Sequence, residues 1–209
     1  MNPARPLEEA RLPLGGTARS EKGVSVTLSR RSLLVLLALG GCASVPPAMG
    51  SMPLLRLPPS ALGPLRLALS QQITVTRLDQ PDAPLQRVEV QLQLNASGLL
   101  LAGFAYGQRV LLMQWDGEAL NVQRHPMLPA EVDADRMLRD LCLTFWPADA
   151  VRTALPEGWA WLQTAAGQEL QQGGQTRLFV QRLGANVVEI VNLAEGYRLL
   201  IESQAQEGV

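Results

Sequence analysis

QRVEVQLQLNASGLLLAGFAY, residues 86–106, is the stretch whose reading decides the fold. From Gln86 to Leu94 apolar and polar residues alternate, placing Val88, Val90, Leu92 and Leu94 on one face and Arg87, Glu89, Gln91 and Gln93 on the other. Side chains of a strand alternate between faces with period two, so this pattern predicts a half-buried antiparallel strand. Asn95-Ala96-Ser97-Gly98 supplies a turn. Leu99 to Tyr106 then reads as a strand apolar on both faces, which predicts that something covers its second face.

Working outward, Leu65 to Arg77 opens the sheet, and Arg109 to Trp115 runs to Asp116-Gly117, a pair suited to a tight hairpin before Leu120 to Arg124. After residue 158 come Trp159 to Thr164, Gln168 to Gln172, Arg177 to Arg182, Val187 to Leu193 and Tyr197 to Glu202, with glycine at each break. About ten antiparallel strands result, and twisted sheets of that size curl or close. Between the two sets lies an amphipathic helix over 135–146. Asp133 or Asp135 can cap it, Leu138, Leu141, Cys142 and Phe145 fall at i, i+3, i+4 and i+7, and Pro147 ends it. A second short helix, Ala148 to Leu155, runs up to Pro156. The expected class is mainly β with a helical insert (α+β): a strongly curved antiparallel sheet, an incomplete barrel, wrapped around the helix. A flat sandwich with a surface helix would explain the doubly apolar strand less easily.

Upstream, Arg30-Arg31, the run Leu33 to Leu39 and Gly40-Gly41 have the order of an export signal: positive, apolar, small. Seven apolar residues are too few for a transmembrane helix, which needs about 20. Leu39-Gly40-Gly41-Cys42 resembles the bacterial lipobox, and that resemblance makes Cys42 an acylated N-terminus. An ordinary secretory signal with an incidental cysteine is the alternative. Ser29-Arg30-Arg31 also resembles the start of a twin-arginine signal, without the usual downstream Phe and Lys. Ala43-Ser44, with no Asp after the cysteine, resembles the sorting pattern that directs lipoproteins to the outer membrane. The expected organisation is 1–28 without credible elements and consistent with a misassigned start, a signal over 29–41, a flexible tether over 42–54, and one domain over 55–205. After cleavage the chain would carry twelve Arg, no Lys and sixteen Asp plus Glu, a net charge of −4. It has no basic stripe, so nucleic acid is not an expected partner. Membrane attachment through Cys42 is.

A search for catalytic chemistry is mostly negative. The lone His125 has no Cys or carboxylate cluster around it at metal spacing, so neither a metal nor a cofactor is expected. Ser97 with His125 as its base reads better as a turn serine and a loop histidine, and Asp133 and Asp135 read as helix caps rather than paired catalytic carboxylates. Cys142, on an apolar helix face, reads as a small hydrophobe. The aromatics suggest a different possibility: with leucines of the helix they could line an apolar cavity between sheet and helix. The candidate lining is Phe104, Tyr106, Trp115, Leu138, Leu141, Phe145 and Trp146.

LPPSALG at 57–63, GQRVLLMQWDGEAL at 107–120, RHPMLPAE at 124–131, MLRDLCLTFWP at 137–147, ALPEGW at 154–159 and EGYRLLIES at 195–203 resemble the DUF3261 family of bacterial lipoproteins. The resemblance implies a LolA/LolB-like fold, an incomplete barrel with helices in its concave mouth, and suggests a lipid or aryl-polyene passenger. The expected function is thus a non-catalytic, outer-membrane-anchored periplasmic lipoprotein that binds or hands on a hydrophobic molecule. The alternative is a structural or assembly lipoprotein that docks a protein partner in the cell envelope. A cryptic enzyme would require Asp133, Asp135 or His125 to converge in a pocket.

Overall fold

A computed structural model describes residues 51–129 and 132–206. The stretch read as an export signal, Cys42, and the stretch read as a tether up to residue 50 lie outside the described residues. Ten strands form: β1 (Leu67–Arg77), β2 (Gln86–Asn95), β3 (Gly98–Ala105), β4 (Gln108–Trp115), β5 (Leu120–Arg124), β6 (Trp159–Gln163), β7 (Gln168–Gln172), β8 (Gln175–Gly184), β9 (Val187–Asn192) and β10 (Tyr197–Ala205). Helices α1 (Ala134–Phe145) and α2 (Ala148–Ala154) separate β5 from β6.

All ten strands belong to one antiparallel sheet in the order β5-β4-β3-β2-β1-β10-β9-β8-β7-β6. The chain therefore starts at the centre, winds outward to the β5 edge, crosses through α1 and α2 to the β6 edge, and winds back to the centre. There β10 pairs with β1, from Leu69↔Ala205 to Arg77↔Tyr197. The edges β5 and β6 do not pair with each other, so the sheet is open.

The period-two pattern sets which residues turn inward. Val90, Leu92 and Leu94 of β2 are buried between exposed Glu89, Gln91 and Gln93. On β3 the structure corrects the expectation of a covered second face. Leu99, Leu101 and Gly103 are buried, but Leu100, Ala102 and Phe104 on the opposite face are only half-buried. Their shielding comes from cross-strand neighbours: Leu100 stands between Gln93 and Gln114, and Ala102 between Gln91 and Leu112. The strand also ends one residue earlier than expected. Tyr106 and Gly107 have φ of 52° and 74°, so this pair forms the tip of the β3–β4 connection, in the left-handed region that a type I′ turn requires at both central positions.

Helix α1 starts where Asp133 caps it, its Oδ1 accepting from Arg136 N at 2.9 Å. Asp135 instead binds Arg56, 2.7 Å away. Trp146 is extended before Pro147, the conformation a following proline favours, and the helix stops. Along α1 the segment before β1 lies pinned by three donors: Trp115 Nε1 to Leu57 O (2.8 Å), Trp146 Nε1 to Pro58 O (3.0 Å) and Cys142 Sγ to Leu55 O (3.6 Å). Met52, Pro53, Leu55 and Leu57 are buried here, so residues 52 and 53, within the stretch read as a tether, belong to the core. With Leu138, Cys142, Val151, Trp161, Leu170 and Leu178 they make its solid part, each larger apolar side chain contributing about 1.5–3 kcal/mol by leaving water.

Candidate functional site

The inward side chains of β1 are Leu67, Leu69, Gln71, Ile73 and Val75, and those of β10 include Leu199 and Ile201. These strands are the centre of the sheet, yet their inward aliphatic residues are only half-buried, whereas neighbouring Leu92 and Leu94 of β2 are closed off from solvent. The reason is a cavity of about 1010 Å³. Residues of seven adjacent strands, β4 through β1 and β10 to β8, line its sheet side. Laid flat, seven strands would span about 29 Å, so a shared cavity of this size means that the sheet bends around it.

The opposite wall is α1. Leu138 and Cys142 point into the solid core, while Met137, Leu141 and Phe145 face the cavity with Asp140 and Thr144. The apolar arc of the helix thus serves two different packings, one filled and one open.

At the cavity wall, to which Asp140, Glu195 and Tyr197 belong, a polar cluster joins α1 to the β9–β10 connection. Arg139 donates from Nη1 to Glu195 Oε1 (3.1 Å), from Nη2 to Glu195 Oε2 (2.6 Å) and to Tyr197 Oη (2.9 Å), and from Nε to Asp140 Oδ1 (3.1 Å). Tyr197 Oη donates to Asp140 Oδ2 at 2.6 Å, and Asn192 Nδ2 reaches both Glu195 Oε2 (2.8 Å) and Tyr197 Oη (3.0 Å). Arg136, more exposed and also on the cavity wall, lies 3.4 Å from Glu195 Oε1. Burial lifts Asp140 above the usual carboxylate range despite Arg139, and burial together with Asp140 lifts the Tyr197 phenol. For Glu195 burial acts in the same direction, but the hydrogen bonds and charge of Arg139, helped by Arg136, outweigh it and hold the carboxyl low. Burial opposes the charge of Arg139, but Glu195 and Asp140 prevail and raise its pKa. The guanidinium is a fixed cation whose fork matches the Glu195 carboxylate bidentately.

Of the residues selected from sequence for a cavity lining, Leu141 and Phe145 lie on it. Leu138, Trp115 and Trp146 are in the solid core, the two indoles engaged with the backbone of 57 and 58. Phe104 faces the other side of the sheet, and Tyr106 stands fully exposed at its turn. The aliphatic residues of β1 and β10, at the centre of the wall, were not among those selected from sequence. The signal available was their alternation on the first and last strands, but composition does not separate a strand facing a void from one facing a core.

The catalytic candidates do not converge. Ser97 donates to Asn95 Oδ1 at 2.6 Å in the β2–β3 turn, beside a shallow amide-rich cleft of about 360 Å³. His125 follows β5 at the other end of the strands, its Nδ1 accepting from Met127 N. Asp133 caps α1 and Asp135 pairs with Arg56. Among the described residues no group of three or more His, Cys, Asp or Glu is placed to hold a metal ion, and no helix is long and apolar enough to cross a membrane.

No curated protein matches the chain. A family model described as "Protein of unknown function (DUF3261)" matches residues 68–205. That match runs from the second residue of β1 to the last of β10, well over half of the chain, and the protein therefore belongs to the DUF3261 family.

Proposed function

We propose that the protein is an outer-membrane-anchored periplasmic lipoprotein, acylated at Cys42, that binds or hands on one hydrophobic molecule of acyl, lipid or aryl-polyene type without altering it. In this reading the sheet is a half-barrel and α1 its lid, an arrangement similar to that of LolA and LolB. The observation that carries the reading is the cavity of about 1010 Å³ between sheet and α1, walled mainly by apolar side chains, Leu, Ile and Val foremost.

Its form favours a chain over a compact ligand. The lining recurs at every second residue of β1 from Leu67 to Arg77, about 33 Å of strand. Affinity would come from removing apolar surface from water, at about 25 cal/mol per Å². The carboxylates at the wall, Asp140 and Glu195, are both engaged by Arg139, which favours a fastening role for them over general acid or base work. Release then requires α1 to part from the β9–β10 connection.

The test is native mass spectrometry and solvent extraction of the full chain purified from its own envelope. One apolar molecule per protein, displaced by an added long-chain fatty acid, is the expected result. Protein that carries no extractable molecule and takes up none of the fatty acid would overturn the reading and favour the protein-docking alternative.

A further inference from the structure

Besides the β7–β8 turn, the register of the sheet brings four connections to one end. Arg77 pairs with Tyr197, Val75 with Gln86, Tyr197 with Asn192, Ala105 with Gln108, and Leu111 with Arg124. The β1–β2 loop, the β3–β4 turn, the segment after β5 and the β9–β10 connection therefore share this end. Each carries a large apolar side chain in solvent: Leu78 and Leu85 on the first, then Tyr106, Met127 and Leu193, with Tyr106 and Met127 102% and 80% exposed. The cavity reaches the same end, because Arg77, Gln86, Leu128 and Gly196, neighbours or near neighbours of those tips, are in its lining.

Charge accompanies the tips. Arg87 and Arg109 sit two and three residues beyond Leu85 and Tyr106, both exposed and in no ion pair among the described residues. Asp79 is taken up by Arg77, and Asp82 is the exposed acid of the β1–β2 loop. Isolated apolar tips on separate turns, backed by arginines at the strand ends, match a lipid interface. Amphipathic side chains enter its headgroup layer and cations meet its phosphates.

We propose that this end of the sheet docks on a lipid bilayer, with Leu85, Tyr106, Met127 and Leu193 entering the headgroup layer and Arg87 and Arg109 contacting lipid phosphates. This contact is additional to any acyl anchor and holds whatever fills the cavity. It also lets an apolar molecule pass between bilayer and cavity without crossing water once α1 parts from the β9–β10 connection.

The test uses the full chain carrying Cys42→Ser, so that no acyl group is attached, and sedimentation with vesicles of phosphatidylethanolamine and phosphatidylglycerol. On this background Leu85→Ser/Tyr106→Ser/Met127→Ser/Leu193→Ser should lower the partition coefficient at least tenfold. Leu162→Ser/Leu183→Ser, exposed apolar side chains elsewhere, should leave it unchanged. Arg87→Gln/Arg109→Gln should weaken binding to vesicles containing phosphatidylglycerol more than to neutral ones. Thermal melting of each variant checks folding. Equal sedimentation of tip and control variants overturns the proposal. So does a Cys42→Ser chain that stays in the supernatant, whether or not a crosslinker at position 106 then captures an envelope protein in fixed stoichiometry.

Discussion

Tyr197 Oη donates to Asp140 Oδ2 at 2.6 Å, joining the first residue of β10 to the middle of α1, and the same oxygen accepts from Arg139 and Asn192. One hydroxyl thus satisfies three polar groups where water has little access. Tyr197→Phe removes it without changing the ring, leaving Asp140 short of a donor and two donors short of an acceptor. The cost of leaving such groups unpaired is about 1–3 kcal/mol. Urea unfolding should show a lower midpoint with an unchanged slope, because the surface exposed on unfolding stays the same.

Glu195 gives a pH signature of definite sign. Its carboxyl is held below its ordinary value of 4.5 in the folded protein, against burial, by Arg139 and Arg136. The stability this contributes is present above that ordinary value and is lost as pH falls through the lower folded value. Glu195→Gln should therefore lower the melting temperature at neutral pH and flatten its decline on the acid side. Asp140 works the other way. Its folded value is raised by burial, so its ionisation opposes folding as pH climbs past 3.8. An acid limb that is equally steep in the Glu195→Gln variant would place the acid-sensitive group elsewhere.

Most elements were legible because their signals are local. Alternation marks β2, glycine pairs mark the β7–β8 turn, and Asp133 with Pro147 brackets α1. The site was less legible because it depends on the juxtaposition of distant segments. Arg139 and Glu195 lie 56 residues apart, and nothing near either residue indicates that each is the other's partner. Likewise Leu138 and Leu141 belong to the same apolar stripe in sequence, and only the seating of residues 52–58 along one side of α1 separates filled core from open cavity.

Cys142 is closed off from solvent, and burial pushes its thiol from the ordinary 9.0 up to about 12. Thiolate is the reactive form, so the native protein should resist alkylation at pH 8 and react only on unfolding. Mass spectrometry after N-ethylmaleimide treatment reads this directly. The same shift makes stability fall as pH rises from about 9 toward about 12, since the unfolded thiol ionises first. Rapid labelling of the folded chain would show that α1 leaves the 55–58 segment far more readily than its contacts suggest.

The segment before β1 is held by side-chain donors rather than by strand pairing. Trp146→Phe keeps most of the apolar volume but leaves Pro58 O without the indole at 3.0 Å. Pro58 O still accepts from Ala61 N, so the expected loss is that of one hydrogen bond, about 0.5–1.5 kcal/mol. Proteolysis under native conditions should then cut first near residues 51–58, before any site in the sheet, because the pins at Trp115 and Cys142 remain but the third is gone. Cleavage in the sheet at the same rate would mean that the segment and sheet unfold as one unit.

Adding bulk separates an open cavity from a filled core. Leu92 is fully buried and absent from the cavity wall, so Leu92→Trp must displace packed neighbours, at about 1–3 kcal/mol or more. Ile201 is half-buried and faces the cavity, in register with Ile73 at the centre of the sheet. Ile201→Trp has room, gains apolar burial, and should leave stability unchanged or raised. It should also reduce the fraction of protein that co-purifies with an apolar molecule, because the indole occupies the path of a chain lying along β1. Equal destabilisation by the two substitutions would mean that the space beneath α1 closes in solution, and a cavity that closes cannot carry the function proposed for it.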